Sequence, residues 1–171
     1  GLEDNPKITR IEFPVASLWV GPLRIWNNNN VKQIDFPSVR HILRSSVILD
    51  GGLKIWNEVS LQKVTFPNLE TIDGPIFIQG TEDLTEVNFP TLTEIGELDL
   101  KWNFGMQSFE IPSVRSVDGR FTGRFTVAKN PKLVSVDLAS AQLITSDIAV
   151  YDNPILQDMR LPDLTRLDLN Q

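Results

Sequence analysis

The dipeptide Phe-Pro returns along this chain at Phe13-Pro14, Phe36-Pro37, Phe66-Pro67 and Phe89-Pro90, then softens to Ile111-Pro112, Leu138-Ala139 and Leu161-Pro162. The phrase around it is roughly L-x-x-I-x-F-P-x-L-x-x-I-x-G-x-L-x-I-x-x-N. Its cleanest copy runs through Leu61, Val64, Phe66, Pro67, Leu69, Ile72, Gly74, Ile76, Ile78 and Gly80. A period of ~22–23 residues marks a solenoid, in which each unit buries its apolar face only by stacking on its neighbours. That constraint narrows the fold more than any composition does.

Inside each unit, apolar and polar residues alternate over short runs. One run carries Ile34-x-Phe36, Val64-x-Phe66, Val87-x-Phe89 and Val136-x-Leu138; another carries Leu23-x-Ile25, Leu53-x-Ile55, Ile76-x-Ile78, Leu98-x-Leu100, Phe125-x-Val127 and Ile148-x-Val150. Period-two alternation signals a strand with one buried face. A middle piece (Leu69-x-x-Ile72, Leu92-x-x-Ile95, Val114-x-x-Val117) carries the chain around. With 11 prolines and 10 glycines, few windows offer an unbroken helical turn sequence. The expectation is an all-β, parallel β-solenoid, a single domain over residues 1–171, with about seven coils. The coils open near Asn5, Asn30, Val59, Thr81, Phe104, Asn130 and Asn153.

Equivalent strands in successive coils then stack at ~4.8 Å. Phe13, Phe36, Phe66 and Phe89 form an internal aromatic ladder that continues as Ile111, Leu138 and Leu161. Proline beside each ends the strand, because it has no N–H for the next rung. Asn27, Asn57, Gly80, Asn103, Asn130, Asn153 and Asn170 close the coils, since Asn and Gly tolerate left-handed backbone and Asn bonds its own turn. Asp50-Gly51, Asp73-Gly74 and Asp118-Gly119 are further turns. Two intervals run long, Pro37 to Pro67 and Pro112 to Ala139, which places insertions near Leu43–Gly52 and Asp118–Arg124. In a solenoid such insertions leave the stack as loops.

Charge and composition exclude several functions. The net charge is −6, from 16 basic and 22 acidic residues, which argues against nucleic acid and against a bare anionic membrane. Cysteine is absent, so there is neither a disulfide framework nor a thiolate metal site. No run approaches the ~20 apolar residues of a membrane span, and no direct membrane insertion is expected. No N-glycosylation sequon occurs. No charged-then-apolar leader opens the chain, so Gly1 reads as a processed boundary, and the last coil stops inside its repeat phrase. The stretch is expected to belong to a longer precursor or to cap its ends with another copy, by head-to-tail self-association.

The phrase F-P-x-L-x-x-[IV]-x-G-x-[LI]-x-[IL]-x-x-N resembles the receptor L-domain repeats, a leucine-rich-repeat-like β-helix. Phe66-Pro67-Asn68-Leu69, Ile72-Asp73-Gly74 and Asn130-Pro131-Lys132-Leu133 carry the likeness over nearly the whole chain. It is most similar to the fungal GPI-anchored cell-wall organisation proteins of the sporulation-specific surface type. Similar domains form the ligand-binding lobes of insulin- and EGF-type receptors. The resemblance implies a right-handed solenoid at the cell surface or in the wall, with no enzyme activity and no cofactor. The implied partner is wall polysaccharide or a surface protein.

Four aromatics stand out as candidate binding residues. Trp26, Trp56 and Trp102 each precede a closing Asn, and Tyr151 lies one place earlier in its coil. Alternation from Ile25 and Ile55 turns Trp26 and Trp56 outward. There they form either a flat platform for sugar rings or a partner protein, or a self-stacked ladder that stabilises the sheet. Outward residues of the first strand form two columns, one of which begins Glu12, Asp35 and the other Arg10, Gln33. Carboxylates on adjacent rungs fall within the separation of a glycosidase pair, so a glycan-active β-helix enzyme is the contrasting reading. Yet none is singled out as acid or base, and a solvated face is the simpler account. His41 is the only histidine, so no His pair can ligate a metal; it reads as a surface or turn residue.

Overall fold

The computed structural model describes residues 1–47, 51–117, 124–138, 140–145, 147–161 and the strand 166–167. Among these every regular element is a β-strand, and every strand pair is parallel. Each coil contributes three short strands, and equivalent strands stack into three columns. The chain is a β-solenoid of about six turns, since the seven rungs of each column are joined by six intervals.

The first column holds Arg10–Glu12, Gln33–Asp35, Lys63–Thr65 and Glu86–Asn88, then Ser108–Glu110, Ser135–Asp137 and Asp158–Arg160. The second holds Leu18–Val20, His41–Leu43, the start of Thr71–Gln79, the start of Glu94–Lys101, Ser116–Val117, Leu143–Ile144 and Arg166–Leu167. The third holds Leu2–Glu3, Leu23–Trp26, Leu53–Trp56, the ends of the two long strands, Arg124–Ala128 and Asp147–Tyr151. In Thr71–Gln79 and Glu94–Lys101 the second and third strands run on without a break, which joins those columns into one 12-stranded sheet. At that corner the chains approach so closely that a Cβ on Gly74 would lie 2.7 Å from the Gly52 nitrogen, so a side chain there has no space.

The core lies between the columns. Phe36, Phe66, Phe89, Ile111 and Leu138 are buried, and Phe13 and Leu161 at the ends are half-buried. Ring centroids step by 5.1 Å from Phe13 to Phe36, 4.9 Å to Phe66 and 5.6 Å to Phe89, close to the rung spacing. In several coils the residue after the proline, or after Ala139 in its place, adds a bond that the repeat phrase leaves as x. Its side chain donates to the proline carbonyl of the preceding rung, at 2.7 Å for Asn68 to Pro37, Ser113 to Pro90 and Ser140 to Pro112, and at 3.3 Å for Thr91 to Pro67.

One interruption has a packing correlate. The first column splits between Glu86–Asn88 and Ser108–Glu110 into sheets of four and three strands. At that rung the aromatic side chain changes position: Phe89 gives way to Ile111, while Phe109 fills the column where Ile34, Val64 and Val87 stand. The core keeps its bulk but redistributes it. The insertion near Asp118–Arg124 lies outside the described residues apart from Arg124, as does the Asp118-Gly119 turn; Asp50 and Asn170 lie outside them too.

Candidate binding cleft

Two adjacent positions end every third-column strand, and they do different work. The first has left-handed backbone, with φ between 52° and 65° at Asp4, Asn27, Asn57, Gly80, Trp102, Lys129 and Asp152. The second is a side-chain ladder: Asn5, Asn28, Glu58, Thr81, Asn103, Asn130 and Asn153. Within it the backbone N–H of Asn103 donates to Asn130 Oδ1 at 3.0 Å, and that of Asn130 to Asn153 Oδ1 at 3.0 Å. The ladder amides also donate to strand carbonyls of the rung before, Asn28 to Leu2, Asn103 to Ile78, Asn130 to Leu100 and Asn153 to Val127. The expected single closing column therefore divides. Asn27, Asn57 and Gly80 belong to the turn, and Asn103, Asn130 and Asn153 to the side-chain ladder.

This offset moves one of the four candidate aromatics. The outward register of the third column is Trp26, Trp56, Gln79, Lys101, Ala128 and Tyr151. Trp102 stands one residue further, on the left-handed turn beside Lys101, and so is not in line with Trp26 and Trp56. Those two are stacked on each other, centroids 4.6 Å apart and planes 3° from parallel. Their faces meet along the solenoid axis, so they do not form a flat strip facing water. Trp26 also closes against Gly1 on the terminal side. Tyr151 is exposed three rungs beyond Gln79 in register and is apart from the tryptophan pair.

The stack stops where Gln79 replaces a third tryptophan. Behind Gln79 comes Gly80, whose missing side chain leaves the turn column open between Asn57 and Trp102; a Cβ there would meet Asn57 Oδ1 at 2.9 Å. The result is a cleft of about 980 Å³ on the outer face of the sheet, within the size range of small-molecule sites. Trp56 and Phe77 form one wall, perpendicular to each other with centroids 6.3 Å apart. Trp102 and Phe104, 41% and 45% exposed, form the other. Gln79, Asp99, Glu97, Lys54 and Arg124 supply polar groups between them. Lys101 Nζ lies 2.8 Å from Asp99 Oδ2, while Asp99 Oδ1 has no partner among the described residues. Phe77 and Phe104 carry no sign in the repeat phrase; Phe77 was findable, as the outward residue between Ile76 and Ile78.

Most carboxylates of the first column sit in ion pairs. Arg10 Nη2 sits 3.1 Å from Glu12 and 3.5 Å from Asp35, and Lys63 bridges to Glu86 at 2.7 Å. His41 faces outward, with Nδ1 3.0 Å from Thr71 Oγ1. Among the described residues no three His, Cys, Asp or Glu side chains gather as for a metal ion, and no helix is long and apolar enough to cross a membrane. Compared with protein-family models, curated proteins and solved structures, the chain matches none of them.

Proposed function

We propose that this chain is a non-enzymatic module of the cell surface or cell wall, extracellular, that acts by holding wall polysaccharide. The observation that carries the reading is the aromatic-walled cleft on a face of the solenoid whose strands are paired on both sides. Such a surface is rigid before any ligand arrives, so little ordering cost opposes binding. The repeat phrase, with its resemblance to surface L-domain repeats, supports the same setting. A glycan-active enzyme needs a convergent acid and base, and the adjacent carboxylates Glu12 and Asp35 instead share one arginine. The test is co-sedimentation with insoluble glucan and chitin. The protein is expected in the pellet with no release of reducing ends; a protein that stays wholly in the supernatant with every polymer overturns the reading.

A second reading is a receptor-like module for a protein ligand. It is favoured by the exposed aliphatic side chains Leu18, Val20 and Leu43, which share the outer face of the second column. Retention by an immobilised surface-protein extract, but by no polysaccharide, would select it.

A further inference from the structure

Resting on the polysaccharide reading, we infer that the gap beyond the tryptophan pair is a slot for one uncharged sugar ring, bounded by Trp56 on one side and Trp102 on the other and floored by Gln79. Along the axis, Trp56 and Trp102 lie two rungs apart, since Trp56 pairs with Gln79 and Gln79 with Lys101, the neighbour of Trp102. Two rungs span ~9.5 Å along the axis, enough for one saturated ring to lie between the two walls. A pyranose offers apolar C–H faces to aromatic walls and a rim of hydroxyls to amides and carboxylates. The Gln79 amide has no hydrogen-bond partner among the described residues, so it is free to donate and accept.

The lining also selects against other ligands. Lys54 and Arg124 stand with Glu97 and Asp99 in the lining, and Asp99 already pairs with Lys101, so the cleft carries charges of both signs rather than a single strong one. An extended peptide needs an unpaired strand edge, and the long strands Thr71–Gln79 and Glu94–Lys101 are paired on both sides. An acyl chain would leave the polar floor unsatisfied.

Trp102 supplies independent support. It holds φ at 55° in a column otherwise made of Asn, Asp, Gly and Lys. A bulky residue in that region is an outlier, and such strain collects at binding sites because the local structure would be easier without it. Its ring is held by Lys129, whose Nζ lies 5.2 Å from the centroid.

The test uses the whole chain and soluble gluco-, laminari- and chito-hexaose, followed by tryptophan fluorescence and calorimetry, beside polymer co-sedimentation. Gln79→Trp extends the existing stack into the gap and is expected to weaken binding at least tenfold, with the melting temperature kept or raised. Trp102→Asn places a turn-favouring residue on the turn and is expected to lose binding to the same degree without unfolding. Trp26→Ala, outside the slot, is expected to bind as the parent does. If the parent binds polymer and both slot variants bind equally well, the slot is wrong and the polysaccharide reading stands. If the parent binds no polymer and no hexaose, that reading fails and the slot falls with it.

Discussion

Glu58 is the residue at which the polar ladder departs from its own logic. Its neighbours in the column are amides and one hydroxyl, while Glu58 is a carboxyl group, fully buried. Oε1 accepts from the Asn28 backbone N–H at 3.0 Å and from Asn28 Nδ2 at 2.9 Å, but Oε2 is buried with no partner. Elsewhere in the column an amide donates to a strand carbonyl of the preceding rung; the register equivalent below Glu58 is Ile25, and an ionised oxygen has no proton to give it. Burial holds the Glu58 carboxyl above the ordinary glutamate value, against the two bonds from Asn28 that pull it down. A carboxyl more readily protonated when folded stabilises fully below its unfolded pKa, and that contribution is lost as pH rises through the folded value. Stability should therefore decline as pH climbs out of the ordinary carboxylate range. Glu58→Gln keeps the acceptor and adds a donor, so it should flatten this decline and add ~1–3 kcal/mol at neutral pH, the scale of one unsatisfied buried group. Urea unfolding at about pH 4 and about pH 8 reads both effects; an equal slope in the variant would place the titration elsewhere.

At the scale of the element, the phenylalanine ladder and the tryptophan pair look alike in sequence and differ in role. Phe66 stacks between Phe36 and Phe89 and is buried, so Phe66→Ala should cost ~3–5 kcal/mol in chemical denaturation. A loss below about 1 kcal/mol would mean that neighbouring rungs collapse into the space. Trp26 is stacked on Trp56 but only half-buried, so Trp26→Ala should cost ~0.5–1.5 kcal/mol beyond its buried area. The ladder was legible because Phe-Pro marks both the buried position and the end of its strand. The division between turn and Asn ladder was not. Asn suits left-handed backbone and side-chain bonding equally well, so residue type at Asn57 or Asn103 cannot say which is served; the partner one rung away decides. The cleft was half legible for the same reason. Trp56 could be turned outward by alternation, but Trp102 had to be registered against Lys101 before its place across the Gln79 gap was apparent.

For the molecule as a whole, the exposed edges of the first described rung bear on whether copies of this chain would associate. Of the strands that begin the three columns, Leu2–Glu3 and Arg10–Glu12 carry charges, which discourage pairing with another edge. Leu18–Val20 carries none; Leu18 and Val20 are 51% and 63% exposed, and its hydrogen-bonded neighbour, His41–Leu43, lies on one side only. An uncharged apolar edge is a template for a further strand, whether from preceding sequence or from a second copy. A second copy laid rung upon rung makes a heterologous contact, which need not close and can lengthen into a filament. The expected outcome for this 171-residue chain is a scattering mass that rises with concentration without reaching a plateau. Val20→Lys places a charge on the edge at an exposed site, and should hold the mass at that of one chain while leaving unfolding and polysaccharide retention unchanged. A parent chain that stays monomeric across the dilution series would rule out association through this edge.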